Sequence, residues 1–193
     1  MKCRLLTVAI VALLATGAAT AGSAELSFND NSFDAWLMFG SGKDEDAQFQ
    51  FGGRYLYSDS DEDDASLPAV VAGFASQPAS NKEMRFFLGA QAFLGKAQEQ
   101  DIEGVGVGGD LTWTPESWKG VFVGARLYYA PSVFCFGDTD SVFEWAGRAG
   151  YEINPKIRAF LEYSKLSADL DSSQTVGQVD IEDGLTIGIG VRF

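Results

Sequence analysis

The chain of 193 residues contains no histidine. That removes the Ser-His and Cys-His nucleophile pairs and the commonest zinc ligand together. Cysteine is almost as scarce: Cys3 precedes the first apolar run, and Cys135 stands alone between Phe134 and Phe136. A single thiol makes no internal disulfide, so in an oxidising compartment the fold holds without a covalent staple, and Cys135 reads as a shielded or incidental thiol. Beyond residue 24 no apolar run approaches the roughly 20 residues of a helical span, which excludes a helical membrane protein. Positive charge is short, with 14 Lys and Arg against 27 Asp and Glu. A phosphate backbone needs a basic surface, so a nucleic-acid partner is excluded. Against 5 prolines stand 22 glycines and 13% aromatic residues, a mixture that suits strands that curve.

The N-terminus has a distinct layout. Lys2 and Arg4 form a basic stretch, Leu5 to Ala15 an apolar run, and Ala19-Thr20-Ala21 and Gly22-Ser23-Ala24 a small-residue region. This predicts a secretory signal peptide over residues 1–24, cleaved after Ala21 or Ala24. A retained spanning helix would need about 20 apolar residues. Cys3 leaves with the signal and is no lipidation site. Losing Lys2 and Arg4 takes the net charge from −13 to −15. Residues 25–193 then make one domain.

Within that domain, segments of roughly ten residues alternate with period two between polar turns. Strands are predicted near 46–57, 84–95, 102–113, 119–130, 141–153, 156–167 and 184–193, with less regular ones near 33–40 and 66–76. A short strand through Glu25-Leu26-Ser27-Phe28, turned at Asn29-Asp30-Asn31, makes ten, the even number that leaves both termini in the periplasm. Eight is the alternative count. The fold expected is all-β: an antiparallel up-and-down transmembrane barrel.

Sorting by parity separates two faces. One collects Phe49, Phe51, Tyr55 and Tyr57, then Phe86, Leu88 and Leu94, Val107, Leu111 and Trp113, Val123 and Leu127, Phe143 and Trp145, Leu161 and Tyr163. The other collects Arg54, Arg85, Asp110, Arg126, Glu144, Arg148, Glu152, Arg158, Glu162 and Arg192. A soluble barrel would turn the first face inward and a lipid-embedded one would turn it outward. Three features favour lipid. Trp113, Trp118, Tyr128, Tyr129, Trp145, Tyr151 and Tyr163 sit near strand ends, as interfacial belts do. Gly104, Gly106, Gly108, Gly188 and Gly190 crowd the polar face, as a narrow interior requires. Long connections at 59–64, 131–141 and 168–183 alternate with short ones at Thr114-Pro115-Glu116-Ser117 and Asn154-Pro155-Lys156.

The ten charged residues of the polar face are the candidate lumen network. Guanidinium-carboxylate pairing makes them a salt-bridged plug; a selective pore lined with arginine is the alternative. The last strand, with Leu185, Ile187, Ile189, Val191 and Phe193 on one apolar face, is the candidate membrane-insertion signal, to be read by the barrel-insertion machinery after delivery by periplasmic chaperones. The run Asp59-Ser60-Asp61-Glu62-Asp63-Asp64 lacks the glycine and distal glutamate of an EF-hand loop, so it reads as a solvated acidic loop; the alternative is divalent cations bridging it to lipid or lipopolysaccharide. No catalytic constellation is found. Asp138 and Asp140 lie in a turn that favours Asp, and no Gly-x-Ser-x-Gly motif occurs. The glycines of Gly104-Val105-Gly106-Val107-Gly108-Gly109 alternate in a strand with no helix following, unlike a dinucleotide loop. No cofactor or metal is expected. An integral outer-membrane barrel of structural or surface-interaction role is the first reading, a small-solute channel the second, and an outer-membrane enzyme the third.

Residues from about 120 to 193 carry a resemblance. Gly124-Ala125-Arg126-Leu127-Tyr128-Tyr129-Ala130-Pro131, Phe143-Glu144-Trp145-Ala146-Gly147-Arg148-Ala149-Gly150-Tyr151, the Leu161-Glu162-Tyr163 strand and the Phe-terminated last strand resemble the YfaZ family of Gram-negative outer-membrane proteins. The resemblance implies an outer-membrane location and a small barrel. It implies no reaction.

Overall fold

In hydrocarbon every backbone N–H and C=O must be satisfied within the protein, and strands achieve this only by closing on themselves. The computed structural model describes residues 22–41, 47–59, 64–78, 80–97, 100–171 and 176–193, and it is such a closed sheet. Ten long strands form the wall: β1 (Gly22–Phe28), β2 (Ser32–Ser41), β3 (Ala47–Asp59), β4 (Asp64–Ser76), β5 (Met84–Ala97), β6 (Gln100–Trp113), β7 (Val121–Ala130), β9 (Thr139–Asn154), β10 (Ile157–Asp171) and β11 (Val176–Arg192). Each pairs antiparallel with its neighbour in the chain, and β1 pairs with β11 to close the ring. An extra two-residue strand, β8 (Cys135–Phe136), pairs with β6 at Gly104 and Glu103, above the point where β7 has left it. Ten wall strands match the expected count. The irregular segments 33–40 and 66–76 are β2 and β4, and Glu25–Phe28 belongs to β1.

Both described chain ends meet at one rim, where Gly22 and Phe193 exchange two backbone hydrogen bonds of 2.9 and 3.0 Å. Turn chemistry sets the other connections. Asn154 Oδ1 accepts from the N–H groups of Lys156 and Ile157 at this rim, and Asn29 Oδ1 does the same for Asn31 and Ser32 at the far rim. The expected signal lies outside the described residues up to Ala21; Gly22 to Ala24 open β1.

The membrane-facing wall is apolar through its middle, with Val70 67% and Leu88 69% exposed. Tilted rings sit at both edges of that band: Trp113 against Trp118 at 5.2 Å near the terminal rim, and Trp145 against Tyr163 at 5.4 Å near the far one. Tyr128 is a correction. It points into the lumen and is 1% exposed, because its neighbour Tyr129 takes the outward position and successive side chains cannot share a face. Gly108 makes room for it: a Cβ there would lie 2.7 Å from the Tyr128 ring and 2.0 Å from the Leu127 carbonyl.

The segment 168–183 is a second correction. It is largely strand, since β10 runs to Asp171 and β11 begins at Val176. The alternation continues past the membrane with its chemistry reversed. Along β10, Leu161 and Tyr163 face out over Glu162 and Ser164; higher up, Lys165 and Asp169 face out over Leu166, Ala168 and Leu170. In water the barrel follows the ordinary rule, apolar within and polar without. A register shift opposite Leu166 and Ser167 makes the switch on β11, so that Ile181 and Glu182 are both buried. The 131–141 connection is likewise compact, with a single 3₁₀ turn at Ser132–Phe134, β8, and a tight turn at Gly137 with φ +66°.

Candidate functional site

The lumen is stratified along its axis. At the far end inward side chains from most of the wall, among them Leu56, Leu67, Phe93, Ile102, Val142, Leu166, Leu170 and Ile181, form one buried apolar cluster. Outward polar groups hold the same hairpins on the water side. Lys165 Nζ sits 3.0 Å from Asp180 and 3.1 Å from Asp183, and Ser141 donates to Asp169 at 2.9 Å. Cys135 packs against this cluster, and burial together with the nearby Asp140 pushes its thiol up, away from the reactive thiolate.

Below the cluster lies the charge network. Arg54 forks onto Asp34 with two bonds of 3.0 Å and donates to Glu144 at 2.6 Å. Arg126 donates to Asp110 at 3.0 Å, and its Nη1 stands 3.6 to 3.8 Å from Glu162, Glu144 and Asp34, sharing one charge among three carboxylates. Arg148 meets Glu25 at 2.8 Å and Glu162 at 2.7 Å, and Arg158 pairs with Glu25. Two guanidinium groups approach the Trp36 ring, Arg54 4.7 Å and Arg126 4.2 Å from its centroid. Nearest the terminal rim, Arg85 and Arg192 share Glu152 at 3.1 and 3.2 Å. Such pairing is what makes buried charge tolerable in a wall surrounded by lipid.

All ten residues proposed for the lumen from sequence lie in this network. Gln91, on the same polar face of β5 as Arg85, donates its amide to Glu144 at 3.2 Å; sequence reasoning missed Glu25, Asp34 and Trp36. The signal was present in β2, where Asp34, Trp36 and Met38 alternate with Ala35, Leu37 and Phe39; large side chains on both faces hid it. Glu182 was also missed. It accepts from Ser32 at 3.2 Å, just beyond the lipid-facing stretch of β11, and burial next to Asp34 and Glu144 pushes its carboxyl up to about 7.

Of the remaining candidates, Leu185, Ile187, Ile189, Val191 and Phe193 form one exposed outward row on the last strand. Residues 60–63 of the acidic run lie outside the described residues; Asp59 and Asp64 pair across the β3–β4 hairpin.

Within the lower part of the network a cavity of about 350 Å³ opens toward the terminal rim, lined by Glu25, Arg85, Asp110, Arg148, Arg158 and Arg192 among others. The apolar cluster closes the lumen above it.

The family model described as YfaZ precursor matches residues 1–193. Two solved porins are similar in form: the KdgM porin at 10% identity, covering 90% of this chain and 99% of that one with a TM-score of 0.45, and the NanC porin at 13% identity, covering 91% and 99% with a TM-score of 0.44. No curated protein matches.

Proposed function

Because the chain belongs to the YfaZ family and is an outer-membrane β-barrel, we propose that it serves as a closed, non-catalytic barrel of structural and surface-interaction role, with the lumen acting as a brace rather than a conduit. One observation carries this reading. The lumen is filled in series, first by the apolar cluster around Leu67, Phe93, Ile102 and Leu166 and then by ion pairs that tie β1, β2, β3, β7, β9 and β10 across the interior. A hydrated ion crossing that path would have to displace packed side chains and break charge-assisted bonds at once. Lipid and lipopolysaccharide surround the wall in this reading, and the raised β9–β11 rim with its outward aspartates is the contact surface.

Purified barrel in planar bilayers tests the reading. Silent membranes are expected, and steady, sizeable openings would refute it. A small-solute channel is the second reading, favoured by the arginine-lined cavity in the lumen.

A further inference from the structure

The ion-paired charges of the lumen balance in number but not locally. Six arginines (Arg54, Arg85, Arg126, Arg148, Arg158, Arg192) face six carboxylates (Glu25, Asp34, Asp110, Glu144, Glu152, Glu162) in ion pairs. Asp34, Glu144 and Glu162 gather at the deep end around Arg54 and Arg126. At the cavity end four guanidinium groups, Arg85, Arg148, Arg158 and Arg192, have Glu25 and Glu152 as close partners, each serving two arginines, while Asp110 is bound to Arg126 at 3.0 Å and stands 3.8 Å from Arg148. Arg148 reaches back to Glu162, but Arg85 and Arg192 are held by Glu152 alone and keep about a third of their side chains exposed. Donors outnumber acceptors there, within low-dielectric walls that focus the field.

We propose that this cavity is a binding site for a small soluble polyanion, one that presents clustered carboxylate or phosphate oxygens and enters from the periplasm. Its volume of about 350 Å³ lies within the range of small-molecule pockets, with space for a molecule of citrate's size. Forked guanidinium groups on separate strands, Arg85 on β5, Arg158 on β10 and Arg192 on β11, suit planar oxyanions approached from several sides. The site depends on the sealed lumen only for its direction of entry. Anion-selective conductance would overturn the sealed reading and leave the site standing.

The test is calorimetric titration of the folded barrel in neutral maltoside micelles with citrate, at constant ionic strength set by chloride, under a gel check that each variant is folded. Saturable one-site binding is expected. Arg85→Gln with Arg192→Gln should weaken it about tenfold or more, whereas Glu152→Gln, which releases both guanidinium groups, should tighten it several-fold. Lys165→Gln on the outer wall should change nothing. Two changes that both disturb the same ion pairs thus act in opposite directions, which a purely structural role does not produce. Absence of saturable binding to the folded wild type, or equal weakening by Glu152→Gln, would overturn the proposal.

Discussion

Arg54 offers the sharpest test of the network, because three partners depend on it and all are buried. Replacing it with leucine removes the fork to Asp34, the 2.6 Å bond to Glu144 and the stack over Trp36. Asp34 then keeps the Trp36 indole N–H at 2.9 Å and a distant Arg126 at 3.8 Å; Glu144 keeps Gln91 at 3.2 Å and Arg126 at 3.7 Å. Removing one partner of a buried pair typically costs about 3–5 kcal/mol, and here two carboxylates lose their main cation, so Arg54→Leu should lie near the upper end. Adding Glu144→Leu removes one of the stranded charges and should restore about 2 kcal/mol, a strongly non-additive pair. Urea unfolding in lipid vesicles, followed by tryptophan fluorescence and by gel mobility, reads both values. A single variant that loses less than about 1 kcal/mol, or a double variant no more stable than the sum of its parts, would refute the idea that pairing holds the lumen together.

Glu182 adds a pH dependence. Its folded value of about 7 lies above the ordinary 4.5, so the fold favours the protonated form; this contribution is intact below about pH 4.5 and is lost as pH rises through 7. The urea midpoint should therefore fall between pH 5 and pH 8, by at most roughly 3 kcal/mol of stability, and Glu182→Gln should flatten that fall; an unchanged slope in the variant would count against it. Deleting Phe193, or replacing it with Asp, should leave the protein in the periplasm for degradation, and a heat-modifiable barrel in the outer-membrane fraction of that mutant would disprove the insertion role of the last strand. Signal cleavage after Ala21 keeps the pairing of Gly22 with Phe193 and of Ser23 with Arg192, so the mature N-terminus should read Gly-Ser-Ala; a start at Glu25 would contradict this.

Much of the wall was legible because alternation is local. Each of β5, β6, β9 and β10 announces its two faces within a dozen residues, and the inward arginines and acids follow from parity alone. The two departures have separate causes. Tyr128 belongs by residue type to the interfacial belt but by parity, opposed to Tyr129, to the lumen, and 168–183 reads as a loop because the strand pattern there has polar side chains outward and apolar ones inward. That inversion is the surface of the membrane written into the chain. Leu166, Ala168 and Leu170 lie on the same face as Glu162, and only the solvent outside the wall has changed.

The chain by itself determined that strands form, that they pair in an even ring, and which side chains share a face, since these depend on a backbone repeat of two residues and on nearest neighbours. Which carboxylate meets which arginine was decided only by the tertiary structure. Arg54 and Glu144 are 90 residues apart, and Arg158 and Glu25 are 133; closure at the β1–β11 seam brings them into one lumen. Closure also gathers the apolar inward groups at one end and leaves surplus guanidinium at the other. Those are properties of a ring's stagger and depth, which no single strand contains.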